Sequence, residues 1–266
     1  MLQSLFVALP FEGTVVLVTG AAQGLGRAVA LAFARDGAGV AVADRDGAGA
    51  AATAAEIKKL ARPCCVIDLD LSASDAPRKM VARAVTELGR LDVLVNNAGV
   101  WSVEPFLEIT EESWDRVFAV NVRALLFSLQ AAARQMMSNG GGRIINISSP
   151  ASRMGLPNYT AYAASKAAVD SITRSACVAL GRHKITVNSV APGRMDTEMQ
   201  RETEQRFAAL AGMDVASFVE SRTKDVPLGR RTTPEEVAQA VLWLAGPHAA
   251  FVTGARMNIS GGLELS

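Results

Sequence analysis

Short apolar, β-branched runs alternate with longer stretches of helical periodicity from near residue 15 to the end of the chain. Residues 15–19, 40–43, 65–67, 91–95, 143–147, 185–190 and 256–259 read as strands. Helices are expected over roughly 28–34, 50–60, 77–88, 111–137, 162–180 and 234–244, with Asp36-Gly37 and Gly140-Gly141-Gly142 as stops. The strands lack in-out alternation, so both sheet faces must be covered, which implies a parallel sheet with right-handed crossovers. The stretch from Pro192 to about Leu228, dense in Glu, Arg and Lys, breaks the rhythm and reads as irregular. No linker, repeat or low-complexity segment interrupts the pattern, so residues 1–266 are expected to form one domain.

The 266 residues are half apolar and one fifth charged, with 27 Lys and Arg against 26 Asp and Glu. That hydrophobicity excludes a disordered or fibrous chain, and a surplus of one positive charge cannot displace the counterions of a nucleic acid. Cys64, Cys65 and Cys177 read as reduced, buried thiols, because no second Cys or His cluster offers zinc spacing. No metal site is expected, and the default compartment is the cytoplasm. The run from Leu2 to Leu9 is a poor signal peptide, and no uncharged apolar stretch approaches the roughly 20 residues of a membrane span.

Three constellations carry chemistry. Gly20, Gln23, Gly24, Leu25 and Gly26 lie where the first strand turns into the first helix, where glycines let backbone approach a pyrophosphate at the helix's positive end. With this loop in place the fold class is α/β, a Rossmann-type doubly wound parallel sheet of seven strands with helices on both faces. Asp44 ends the second strand, 24 positions after Gly20, within reach of an adenosine ribose. Its charge would repel the extra phosphate of NADP, which favours NAD, although Arg45 beside it could pair with such a phosphate. Tyr162 and Lys166 stand four apart on one helical face. Bringing a phenol to work near neutrality asks for about 4 kcal/mol, and one cation at about 4 Å in an effective dielectric of about 20 supplies that order of energy.

With Asn96-Asn97-Ala98-Gly99 after the fourth strand, Asn121 in the long helix, Ser149 after the fifth strand and Pro192-Gly193-Arg194-Met195-Asp196-Thr197 after the sixth, the chain resembles the short-chain dehydrogenase/reductase family over nearly its whole length. The resemblance implies that Tyr162 exchanges a proton with the substrate oxygen while a hydride moves between substrate carbon and nicotinamide. Lys166 would lower the tyrosine pKa and bind the nicotinamide ribose. Ser149, rather than the adjacent Ser148, would hydrogen-bond the reacting oxygen, because it stands 13 residues before Tyr162. Asn121 would hold a water between Lys166 and solvent. Asp70 and Leu71 would flank the adenine, with Asp68 competing for that place. Asn97, Ala98 and Gly99 would border the cofactor, and Pro192, Gly193, Met195 and Thr197 would meet its nicotinamide end. One departure is Ser260 where the family's usual signature has Asp before Gly261-Gly262.

Substrate identity is less legible. A lid over about residues 194–226 is expected, with Trp101, Arg153 and Arg194 as candidate substrate contacts and Trp114 and Trp243 in the core. Similarity of the tail to polyol-oxidising family members favours a polyol or other small hydroxy compound. A 3-oxoacyl thioester reductase is the alternative, and a catalytically silent NAD-binding scaffold is the alternative of another class. Small residues on the helix of Tyr162, including Ala168, Ser171, Ser175 and Ala176, suggest close subunit packing, which in family terms implies a homotetramer.

Overall fold

The structure, a computed structural model, describes residues 9–265; of the apolar run Leu2 to Leu9, only Leu9 falls within them. Seven strands, β1 (Val15–Thr19), β2 (Gly39–Asp44), β3 (Cys64–Asp68), β4 (Val93–Asn96), β5 (Gly142–Ile147), β6 (Ile185–Pro192) and β7 (Arg256–Ile259), form one sheet in the order β3-β2-β1-β4-β5-β6-β7. Every pairing is parallel. The helices are α1 (Gly24–Arg35), α2 (Gly47–Lys59), α3 (Ala76–Leu88), α4 (Glu111–Phe118), α5 (Leu125–Ser138), α6 (Thr160–Leu180), α7 (Glu198–Ala211), α8 (Val215–Lys224) and α9 (Pro234–Ala245).

Successive side chains of a strand point to opposite faces, and here both faces are dry. Val16 and Val18 enter the apolar cluster formed with α1, α2 and α9, whereas Leu17 enters the one formed with α3, α5 and α6. Each such side chain contributes about 1.5–3 kcal/mol of burial, which explains the continuous apolar runs. The strand order reverses beside β1, between β2 and β4, and this places the C-terminal ends of β1 and β4 around a crevice.

The structure departs from the sequence reading at four places. The long helix is interrupted by a π turn over Ala119–Ala124, which carries the buried Asn121. By length and composition the 28-residue run Glu111–Ser138 would pass for a membrane span. In the fold, α5 packs on α3 and on β4 and β5, and the π turn packs on α6. The segment read as irregular contains α7 and α8. Thr197 caps α7 by accepting from the Gln200 amide at 3.3 Å, and Asp214 caps α8 by accepting from Ser217 at 2.9 Å. Its charged composition hid these helices because only a narrow face, including Thr203 and Ala208 of α7, is buried. Trp114 and Trp243 stand on outer helix faces, 36% and 44% exposed, while Val241, Leu242 and Leu244 fill the interior beside the latter. Cys65 is buried, Cys64 and Cys177 are half-buried, and all three are free.

Candidate active site

A cavity of about 1080 Å³ opens along the C-terminal ends of the strands. Its floor at one end is the glycine loop. Gly20 adopts φ +66°, and a Cβ there would press within 2.9 Å of Ala98 Cα and Asn97 Nδ2. At Gly26 a Cβ would collide with the Gly20 carbonyl, so this glycine lets α1 pack against the loop. Gln23 precedes α1 in extended conformation with no side-chain cap and no acidic residue in the first turn, which leaves the helix's amides and positive end for an anion. Asn97 Nδ2 donates to the carbonyls of Thr19 at 2.8 Å and Gly20 at 3.0 Å, tying the loop to the end of β4.

Asp44 is held rigidly: its two carboxylate oxygens accept from the amides of Ala22 at 2.9 Å and Asp46 at 3.0 Å. Arg45, Asp70 and Leu71 line the cavity beside it; Asp68, the competitor for the adenine position, does not. The Ser72 amide, 2.8 Å from Asp70, keeps that carboxyl below the usual range. An uncapped helix end, a side-chain-free floor and a fixed carboxylate fit a pyrophosphate followed by a ribose.

At the other end, Ser149, Tyr162 and Lys166 come together. Lys166 Nζ is 5.5 Å from the Tyr162 ring centroid and donates to the Ile147 carbonyl at 2.8 Å. Burial pushes the Tyr162 phenol up to about 12, opposed by hydrogen bonding to Ser149, and it pushes Lys166 down to about 8, opposed by the charge of Asp170. In the protein alone, loss of water governs the Tyr162 phenol, and the contact with Ser149 is what opposes it. Ser149 Oγ also accepts from the Ala151 amide at 3.2 Å, whereas the adjacent Ser148 Oγ is buried without a partner among the described residues.

The remaining candidates divide. Asn121 lies near Lys166, but its side chain is occupied by protein: Oδ1 accepts from the Val100 amide at 2.8 Å, and Nδ2 donates to the Val100 carbonyl at 2.8 Å and to Ser165 at 3.0 Å. Pro192, Gly193, Met195 and Thr197 border the cavity. Gly193 is required there because a Cβ would meet Ser260 Cα at 2.8 Å. Trp101 and Arg194 line the cavity. Arg153 does not; it faces Glu264 at 3.7 Å. Sequence reasoning did not single out Thr203, Phe207, Phe218 and Arg222 of α7 and α8, which also line the cavity. The spacing of Phe207, Leu210 and Ala211, with Phe218 beyond Gly212, was the available signal.

A groove shaped for a dinucleotide that leads to a proton-transfer side chain defines a nicotinamide-dependent oxidoreductase on a doubly wound sheet. The profile of the family described as enoyl-(acyl carrier protein) reductase matches residues 20–264. Sorbitol dehydrogenase of Cereibacter sphaeroides is 41% identical, over 96% of this chain and 99% of that one. A 3-oxoacyl-(acyl-carrier-protein) reductase of Thermotoga maritima is 36% identical, over 96% and 99%. The crystal structure of an NAD+-bound xylitol dehydrogenase superimposes with a TM-score of 0.91 at 30% identity, over 95% and 99%. The chain belongs to the short-chain dehydrogenase/reductase family.

Proposed function

We propose that this chain interconverts a secondary alcohol and its ketone with NAD, and that the alcohol is a polyol or other small hydroxy compound. The observation that carries the reading is the meeting of Ser149, Tyr162 and Lys166 at one end of a cavity whose other end is the glycine cradle. When bound, the oxidised nicotinamide supplies the hydride acceptor and a positive ring charge. Ser149 then donates to the reacting oxygen, and Tyr162 takes the hydroxyl proton as the carbinol carbon loses its hydride. Lys166 holds the nicotinamide ribose and stabilises the phenolate electrostatically.

Gly20, Gln23, Gly24, Leu25 and Gly26 hold the pyrophosphate, Asp44 the adenosine ribose, and Asp70 and Leu71 the adenine. Asn97, Ala98 and Gly99 support the cofactor's middle, while Pro192, Gly193, Met195 and Thr197 fix the carboxamide. Asn121 positions Val100 and Ser165, and residues 194–226 form the lid. NAD is favoured over NADP because the fixed Asp44 carboxylate would face a 2′-phosphate. The outer face of α6, with Ser171, Ser175 and Val178 exposed, supports packing into a homotetramer; Ala176 is buried within the chain and takes no part. Three free thiols support a reducing, cytoplasmic compartment.

Initial rates with NAD and NADP on sorbitol, xylitol and galactitol, beside NADH and NADPH with a 3-oxoacyl thioester, test this. The expected result is a higher kcat/KM with NAD and a polyol; preference for NADPH and the thioester overturns it. Tyr162→Phe is expected to keep NADH binding and lose turnover by about 10²-fold or more.

A further inference from the structure

Buried arginines in this chain are compensated unequally. Arg256, 8% exposed, meets Asp170 at 3.1 Å and Glu264 at 2.7 Å. Arg231 donates to both oxygens of the buried Glu204, each at 2.7 Å. Arg194, 7% exposed, has only Asp225 at 3.4 Å, and that carboxylate is itself 55% exposed. The buried Nη1 of Arg194 has no hydrogen-bond partner among the described residues. A guanidinium withdrawn from water needs anions around it, and this one has only the exposed Asp225 and, more weakly, the charge of Glu204.

Arg194 and Arg222 of α8 both line the cavity. Burial, and then the nearby charge of Arg222, depress the pKa of Arg194, so the two cations feel each other. Of the carboxylates lining this part of the cavity, Glu204 is paired with Arg231, Glu198 with Arg201 at 4.0 Å and Glu104 with the Ser113 hydroxyl at 2.6 Å, while Glu202 is exposed. Arg222 sits over Phe218 at 5.9 Å. Phe218 stacks with Phe207, Phe207 meets Tyr159 edge-on, and Tyr159 stacks on Tyr162. An aromatic wall thus leads from the proton-transfer phenol to the arginine pair.

We propose that Arg194 and Arg222 form a subsite for one oxyanion, a carboxylate or a phosphate monoester, carried by the substrate away from the carbon that is oxidised. The inference rests on the polyol reading and narrows it to an acidic hydroxy compound. The planar fork of a guanidinium matches either oxyanion, and the ligand supplies the compensation that Asp225 does not.

Initial rates with NAD on sorbitol are compared with those on gluconate, which offers a carboxylate, and on sorbitol 6-phosphate. At least one acidic substrate is expected to exceed sorbitol in kcat/KM by about tenfold or more, and Arg194→Met and Arg222→Met each to cut that ratio by about tenfold. Without substrate, Arg194→Met is expected to melt at or above the parent temperature, because an under-compensated buried charge is removed. A clear fall in its Tm with an unchanged ratio makes the arginine structural and overturns the subsite. A rise confined to the KM for NAD assigns Arg194 to the cofactor, with the same consequence. Polyol turnover with no preference for acids overturns the subsite and leaves the polyol reading standing. Turnover of a 3-oxoacyl thioester alone overturns both.

Discussion

Tyr159 stacks on Tyr162, with ring centroids 4.4 Å apart and planes 24° from parallel. The same ring lies 5.3 Å edge-on from Phe207, on α7. One aromatic ring therefore joins α7, which lines the cavity, to the Tyr162 phenol. An aromatic pair is worth about 0.5–1.5 kcal/mol beyond its burial, so Tyr159→Ala is expected to lower kcat/KM by up to about tenfold. Tyr159→Phe keeps the stack, loses only the phenolic hydroxyl and should act mainly on KM; steady-state kinetics separate the two.

Burial lowers Lys166 from 10.5 to about 8. Between those pH values the unfolded chain binds more protons than the folded one, so this group makes stability rise with pH. Below about 8 its ammonium is buried at a cost on the order of 3 kcal/mol. Tyr162, raised from 10 to about 12, acts oppositely: between those values the folded chain holds the extra proton and stability falls. The cofactor-free parent should melt below Lys166→Met near pH 7.5 and approach it toward pH 10. Parallel melting curves would contradict the buried ammonium.

Arg256 Nη2 donates to the Ser149 carbonyl at 2.9 Å while Asp170 and Glu264 neutralise it from either side. Arg256→Met leaves Asp170 and Glu264 buried without its guanidinium, with only Arg153 at 3.7 Å still facing Glu264, and breaking such a group costs about 3–5 kcal/mol. The denaturant midpoint should fall accordingly, and kcat should fall with it as Ser149 loses its anchor. Truncation after Gly262, which removes Glu264, should move the midpoint the same way.

Asp44→Asn keeps an acceptor for only one of the Ala22 and Asp46 amides and removes the charge, leaving Arg45 to meet a 2′-phosphate. The ratio of kcat/KM with NADP to that with NAD should rise about tenfold or more. An unchanged ratio would mean that Asp44 does not govern cofactor choice.

Much of the site was legible in the chain. The glycine loop announces itself because only residues without Cβ fit between Gly20, Gly26 and Ala98, and Tyr162 with Lys166 shares a face by helical spacing alone. Asn121 was legible as a position, but its partners were not, since Val100 and Ser165 reach it from other elements. Arg153 and Arg194 looked alike as loop arginines. Only Glu264, folding back from the end of the chain, draws Arg153 away from the cavity.

The sequence by itself determined the strand and helix alternation, the parallel sheet, the glycine loop and the shared helical face of Tyr162 and Lys166, because those depend on contacts within a few residues or on burial of both sheet faces. Tertiary structure alone decided how charge is spent. Asp170 and Glu264 meet Arg256, Glu204 meets Arg231, and Arg194 is left with Arg222 in a cavity that also holds the Tyr162 phenol. Such balances follow from which segments distant in sequence are brought side by side after water has been removed, and no local pattern encodes them.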